Sequence, residues 1–303
     1  MTASSTAHQK RIHQVLDYIE AHLEDNLSLE TLSGLTHYSP FHFHRIFKMV
    51  TGETPNGYVK RKRIEKAASV LLRKKDITIS ELSFRYSFTS NSSFTRAFKS
   101  FYGLSPTDFR RKSKGTYSKI SQMNRKNGQA ITKFDAYVCT TNPLQKDILM
   151  TDHISVATKN PISFVGIPII GKHNSNQAFE KLLNWAGSRG LLRTPNFKMA
   201  SIFYDSLKIT SEANVRMSAG LLVEQPVEMD DTVAMVHFPE SNYIIGHFEI
   251  GMDQFEASWT SLFMYMNANG YKKTDQPVFQ LYHNNYNEHP EKKCIVDLYI
   301  PVT

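Results

Sequence analysis

With 303 residues, 41% of them apolar and 21% charged, the chain has an ordinary globular balance and enough length for two domains of the usual size. Its two cysteines, Cys139 and Cys294, stand far apart and without metal-type spacing, which excludes a disulfide framework and fits a reducing cytoplasm. The opening MTASSTAHQK has no apolar stretch of the signal-peptide kind, and no run approaches the ~18 apolar residues that span a bilayer, so a cytoplasmic protein with no membrane contact is expected.

The formal net charge of +8 is unevenly placed. Residues 1–112 hold 18 Lys+Arg against 10 Asp+Glu, residues 113–150 hold 6 against 2, and residues 151–303 hold 12 against 16. A basic front on a mildly acidic back suits a polyanion-binding domain joined to a different module, although a solvated basic face gives the same totals.

Taken in order, residues 8–24 carry Ile12, Val15, Leu16, Ile19 and Leu23 at helical spacing. Ser28 can cap a short helix through Leu32. Ser39 is placed to cap a second helix with Pro40 at its first position, where Phe43, Ile46, Phe47 and Val50 form the apolar stripe. Residues 58–74 predict a long basic helix. A second helix pair follows, in which Phe94, Ala97, Phe98 and Phe101 form the stripe and Asn91, Ser92, Arg96 and Lys99 stand opposite.

These two helix pairs repeat each other. LETLSGLTHY (29–38) matches ISELSFRYSF (79–88), and residues 39–61 match residues 90–112, so that Phe43/Phe94, Arg45/Arg96, Phe47/Phe98, Lys48/Lys99, Gly52/Gly103, Pro55/Pro106 and Tyr58/Phe109 coincide. The pattern SFxRxFKxxxGxSPxxFR at residues 93–110 resembles the signature of the AraC/XylS family of transcriptional regulators. That resemblance implies a DNA-binding domain over residues 8–112, with seven helices in two helix-turn-helix units, each second helix lying in a major groove one helical turn from the other. Where that family usually has Gly in the turn before Phe88, this chain has Ser87.

The candidate DNA contacts are Phe41, His42, His44, Arg45, Lys48, Ser90, Asn91, Ser92, Arg96 and Lys99. Arg45 and Arg96 suit guanine O6/N7 and Asn91 suits adenine N6/N7, while Phe41 and Ser92 suit thymine methyls or hydroxyl acceptors. A salt bridge inside the domain is the alternative role for either arginine. Lys48, Lys99, Arg61, Lys62 and Arg63 suit phosphates. His37, His42 and His44 do not read as a metal set, because residues two apart on a helix do not face each other; no metal or cofactor is expected.

Residues 113–150 are rich in Ser, Asn, Gly and Lys with little periodicity and read as a linker. Beyond Ile154 a strand–helix–strand–strand pattern runs twice. PISFVGIPIIG, a helix near NQAFEKLLNWAGSRG, MASIFYDS and VRMSAGLLV make the first copy. NYIIGHFEIG, a helix near DQFEASWTSLFMYMNANG, PVFQLYHN and KCIVDLYIPV make the second. Phe179–Glu180 aligns with Phe255–Glu256, residues 201–206 align with residues 279–284, and Gly190 and Gly270 read as helix C-caps. The fold class expected for the whole chain is multidomain α and α+β, with an all-helical double helix-turn-helix domain followed by a pseudo-two-fold duplicated βαββ domain. The second part is expected to hold two antiparallel-rich sheets and a groove between its halves.

The double βαββ, PVFQLYHN and VDLYIPV are similar to GyrI-like effector-binding domains, a resemblance covering residues 152–303. It implies a groove for bulky aromatic or cationic molecules, for which Trp185, Tyr204, Trp259 and Tyr282 are the candidate lining, each with core packing as its alternative. Gln280 stands where such domains often have a Glu, so Glu249 is the acid considered in its place, and a neutral ligand is the other option. The functional expectation is a transcriptional regulator of the activator kind, with double-stranded DNA, RNA polymerase and a small-molecule effector as partners. A hydrolase-like or a purely protein-binding C-terminal domain is the competing expectation.

Overall fold

The computed structural model describes residues 3–74, 76–112, 153–194, 197–206 and 209–303. The linker 113–150 and Cys139 lie outside them. The described residues form two compact units, one helical and one built on a sheet.

In the helical unit, α1 (Ala3–Ala21) precedes α2 (Leu29–Gly34), α3 (Pro40–Thr51), α4 (Pro55–Arg73), α5 (Ile79–Arg85), α6 (Asn91–Tyr102) and α7 (Pro106–Lys112). The first helix thus begins upstream of the apolar stripe that announces it. Hydroxyl N-caps recur at the helix starts: Ser28, Ser39, Thr54, Thr78 and Ser90 each accept a backbone N–H from three residues on. Helices α3 and α6 both end on a left-handed glycine, Gly52 at φ 77° and Gly103 at φ 74°.

The sequence repeat is also a packing repeat. Phe47 meets Tyr58 edge to face at 5.5 Å and 81°, and its counterpart Phe98 meets Phe109 at 5.1 Å and 86°. All four rings are buried, each worth about 1.5–3 kcal/mol in apolar burial. The stripes therefore dock α3 and α6 identically on α4 and α7 and leave the same opposite faces outward.

In the other unit, β1 (Ile154–Lys159), β2 (Ile162–Ile170), β3 (Met199–Phe203), β4 (Arg216–Val223), β5 (Ala234–Phe238), β6 (Ser241–Ile250), β7 (Val278–Tyr282) and β8 (Cys294–Val302) make one antiparallel sheet in the order β1-β6-β8-β7-β3-β4-β2-β5. Helices α8 (Ser175–Ser188) and α9 (Phe255–Ala268) follow β2 and β6.

The expectation of two sheets is corrected, because β3 and β7 pair across the pseudo-two-fold axis and join both halves. The edge strands are also exchanged: β1 pairs with β6 and β5 with β2. Since only Asn160 and Pro161 separate β1 from β2, and only Pro239 and Glu240 separate β5 from β6, the sheet must curl to bring its ends together. Phe164, Phe238, Tyr243, Phe279 and Tyr299 fill the curl, with Phe238 and Phe279 at 4.8 Å although β5 and β7 are not neighbours in the sheet.

Register sets the repeat spacing. Ala200 pairs with Gly220 as Phe279 pairs with Tyr299, and Ile162 pairs with Phe238 as Ser241 pairs with Lys159, so each strand position recurs 79 residues later. The sequence alignment of residues 201–206 with 279–284 is therefore one residue out, a slip that would put every side chain on the wrong face. Between the helices the spacing is 80, pairing Phe179 with Trp259 and Leu182 with Leu262 rather than Phe179 with Phe255. Gly246 gives α9 its close seat, as a Cβ there would stand 2.5 Å from Leu262 Cδ1.

Candidate functional site: nucleic-acid interface and effector groove

The outward face of α3 carries Phe41, Arg45, Lys48 and Met49, all exposed, with Phe41 82% exposed. The matching face of α6 carries Ser92, Arg96 and Lys99, also exposed. Arg96 Nε donates to Ser92 O at 3.3 Å within its own helix, which leaves the guanidinium on the outer face. Ser90 accepts the Ser93 N–H at 3.1 Å as N-cap. Asn91 Oδ1 accepts from Ser83 of α5, so one half of its amide is engaged in the scaffold. His44 is half-buried, and His42 packs edge-on against Tyr38 at 4.9 Å, whose hydroxyl is 2.6 Å from His8 Nδ1.

Three cations assigned to phosphates from the sequence serve the scaffold instead. Arg61 is buried beneath Tyr58 and binds Glu53 at 2.8 Å and Glu65 at 3.1 Å. Lys62, buried on the same helix, binds Glu20 at 2.9 Å. Arg63 donates to Leu23 O at 2.9 Å and to Asp25 O at 2.5 Å. Their clustering with Lys60 and Lys66 in sequence reads as a basic patch, but the helical period turns these three toward α1 and the start of α4. Conversely, Met49 and Phe84 (69% exposed) lie outside the candidate set. Their one sequence signal is being apolar out of phase with their helices' stripes.

On the helix-covered face of the sheet, Ser201 and Gln280 are register partners at the pseudo-two-fold axis. Tyr282 Oη lies 3.0 Å from Ser201 Oγ and accepts from Gln280 Nε2. Burial pushes the Tyr282 hydroxyl above its usual range, while those two hydrogen bonds pull it part of the way back. Two aromatic contacts then cross the axis in symmetry: Phe179 of α8 meets Tyr282 at 6.2 Å, and Trp259 of α9 meets Phe203 of β3 at 6.4 Å.

This arrangement brings Trp259, Gln280 and Tyr282 together with Phe179, Phe203 and Ser201, and leaves three sequence candidates elsewhere. Tyr204 directly follows Phe203 and so faces into the curl, where its hydroxyl lies 3.0 Å from Ser218 Oγ. Glu249 lies between Phe248 and Ile250, both packed under α9, and points the other way toward Lys293 at 3.5 Å. Trp185 donates its indole N–H to Asp230 at 3.0 Å beneath the Arg189 guanidinium, an anchor in the α8 core. Phe179 is the counterpart of Trp259 at the 80-residue helix spacing, a signal that the alignment with Phe255 conceals.

A model of the GyrI-like small molecule binding domain matches residues 153–303, and a helix-turn-helix domain model matches residues 32–112. Over 104 residues the chain is 39% identical to the transposon Tn10 TetD protein of Escherichia coli, covering 34% of this chain and 75% of TetD. Over 99 residues it is 36% identical to the multiple antibiotic resistance protein MarA of Salmonella typhimurium, covering 33% of this chain and 77% of MarA. The chain belongs to the AraC-type family of DNA-binding transcriptional regulators. To the right origin-binding protein of Escherichia coli K12 this AraC-type chain is 37% identical over 100 residues, 33% of its own length and 34% of that protein's. The match thus spans about a third of that relative. Among the described residues of this AraC-type regulator, no helix is long and apolar enough to cross a membrane.

Proposed function

We propose that residues 8–112 read double-stranded DNA through α3 and α6, and that residues 152–303, joined through 113–150, bind a small-molecule effector that tunes this reading. The observation that carries the proposal is the duplicated outward face, Arg45 and Lys48 on one helix and Arg96 and Lys99 on the other, each set on the same scaffold. Guanidinium forks at matched positions suit guanine edges, and the ammonium groups a helical turn away suit phosphates. The name of the right origin-binding protein, a relative over the helical unit, fits a duplex partner.

The effector is a flat or bulky apolar molecule, held by Phe179, Phe203, Trp259 and Tyr282 and oriented by the neutral Gln280 and Ser201. Gln280 at the axis is a neutral amide with no charge of its own to offer a cation, so neutral aromatic ligands are favoured over cationic ones. The regulator acts as an activator that contacts RNA polymerase, works in the cytoplasm, and does not turn over its effector. Hydroxyl-radical footprinting on the chain's own promoter tests the DNA reading: two protected segments about one helical turn apart are expected. A single protected segment, or none at low salt, contradicts it.

A further inference from the structure

We propose that His247, His283 and Asp297 form a binding site for a borderline divalent transition metal of the Zn2+ or Co2+ class. His247 on β6 and Asp297 on β8 are register partners, and their side chains share the face of the sheet opposite α9. His283 follows Tyr282 directly and extends the β7–β8 ladder one step, donating its backbone N–H to Ile295 O at 2.8 Å. Strand alternation turns it away from the helix-covered face that carries Tyr282 and toward Asp297.

The donor atoms converge. His247 Nδ1 lies 2.6 Å from Asp297 Oδ1, His283 Nε2 lies 2.8 Å from Asp297 Oδ2, and one ligand atom from each of the three residues lies within 4.8 Å of the others. Two imidazoles and one carboxylate are a donor set that suits Zn2+, Co2+, Ni2+ or Fe2+ over the hard cations, at bond lengths near 2.0–2.2 Å. Each ligand sits on or directly beside an antiparallel strand, so little backbone ordering is left to be done on binding. The side chain of Asp297 is 16% exposed and that of His283 23%, while that of His247 is 58% exposed, which leaves the solvent side open for water ligands.

The first half of the duplication carries the same scaffold without the ligands. Pro168, Ser218 and Tyr204 occupy the equivalent positions 79 residues earlier, and the Tyr204–Ser218 hydrogen bond at 3.0 Å stands where His283 meets Asp297. The donors are a feature of one half only, so the sheet's geometry does not require them. Their spacing in sequence, 36 residues from His247 to His283 and 14 more to Asp297, hides them from any motif reading.

The test is titration of the chelator-treated full chain with Co2+, read by its visible d–d absorption and by bound metal after dialysis. The proposal expects one Co2+ per chain, displaced by Zn2+, with affinity falling at least about tenfold in His247→Gln and in Asp297→Asn. His247 is mostly exposed, so its variant keeps the fold even where Asp297→Asn does not. Saturable Co2+ binding that is unchanged in His247→Gln overturns the assignment, as does the absence of any d–d band in the parent chain.

Discussion

Phe179 and Tyr282 stand edge to face across the pseudo-two-fold axis with ring centroids 6.2 Å apart, and Trp259 and Phe203 repeat that contact at 6.4 Å. The four rings come from α8, β7, α9 and β3, so the effector proposed to bind among them would touch both halves at once. On the proposed effector reading, the neutral amide of Gln280 sets the charge preference. Gln280→Glu should lower the stability of the free protein by about 1–3 kcal/mol, since a buried carboxylate lacks a cation there. It should also reverse the preference from neutral aromatic ligands to aromatic cations. Thermal-shift titrations with one ligand of each kind on both proteins check this, and an unchanged preference would place the ligand elsewhere.

Arg61 separates scaffold from reader. Held between Glu53 and Glu65 under the Tyr58 ring, it should cost about 3–5 kcal/mol in urea unfolding when changed to Ala, because two carboxylates then lose their shared partner. Arg45→Ala, on an exposed face, should leave unfolding within about 0.5 kcal/mol of the parent and weaken specific DNA binding by about 1–3 kcal/mol.

His37 and Ser87, equivalent in the repeat, both take left-handed backbone, at φ 56° and 53°. Glycine relieves about 1–2 kcal/mol of strain at such a position and returns about 0.4–1 kcal/mol to the unfolded chain's entropy. His37→Gly should therefore stabilise by up to about 1.6 kcal/mol. Ser87→Gly should be neutral or worse, because Ser87 Oγ also donates to Glu24 O at 2.6 Å. Urea midpoints of the two variants measure the difference.

The capping box at the start of α5 predicts an acid-side effect. The Thr78 backbone N–H, and then the Thr78 hydroxyl, hold the Glu81 carboxyl below its usual 4.5. With the folded value under the unfolded one, the stabilisation is complete above pH 4.5 and fades as pH falls through the folded value. The Tm difference between the parent and Glu81→Gln should be constant near neutrality and shrink below pH 4.5; a difference that is flat across this range contradicts the linkage.

The helical unit was legible because its signals are local. Ser39 with Pro40, Ser90 before Asn91, and the stripes ending at Gly52 and Gly103 each specify an element from adjacent residues. The outward Arg45 and Arg96 follow once the stripes are known. What escaped depends on contacts between distant segments. Glu20, Glu53 and Glu65 claim Arg61 and Lys62, which no charge count along the chain reveals. In the sheet unit the two βαββ copies were visible, but a one-residue slip exchanges faces. That slip aligns Tyr204 with Tyr282 although Tyr204 faces the curl, and aligning Phe179 with Phe255 conceals its kinship with Trp259. The single sheet escaped because the β3–β7 pairing joins segments with no local signal linking them. Glu249 has the charge the role needs, but strand alternation points it the other way.

The central claim, that two matched helices read duplex DNA, is tested most directly by measuring affinity for promoter DNA from 50 to 200 mM salt in the parent and in an Arg45→Ala/Arg96→Ala variant. With several phosphates neutralised, log affinity of the parent should fall steeply and linearly with log salt. The variant should lose its preference over unrelated DNA while keeping a similar steep dependence. Salt-independent binding, or a variant that discriminates as well as the parent, would contradict the account.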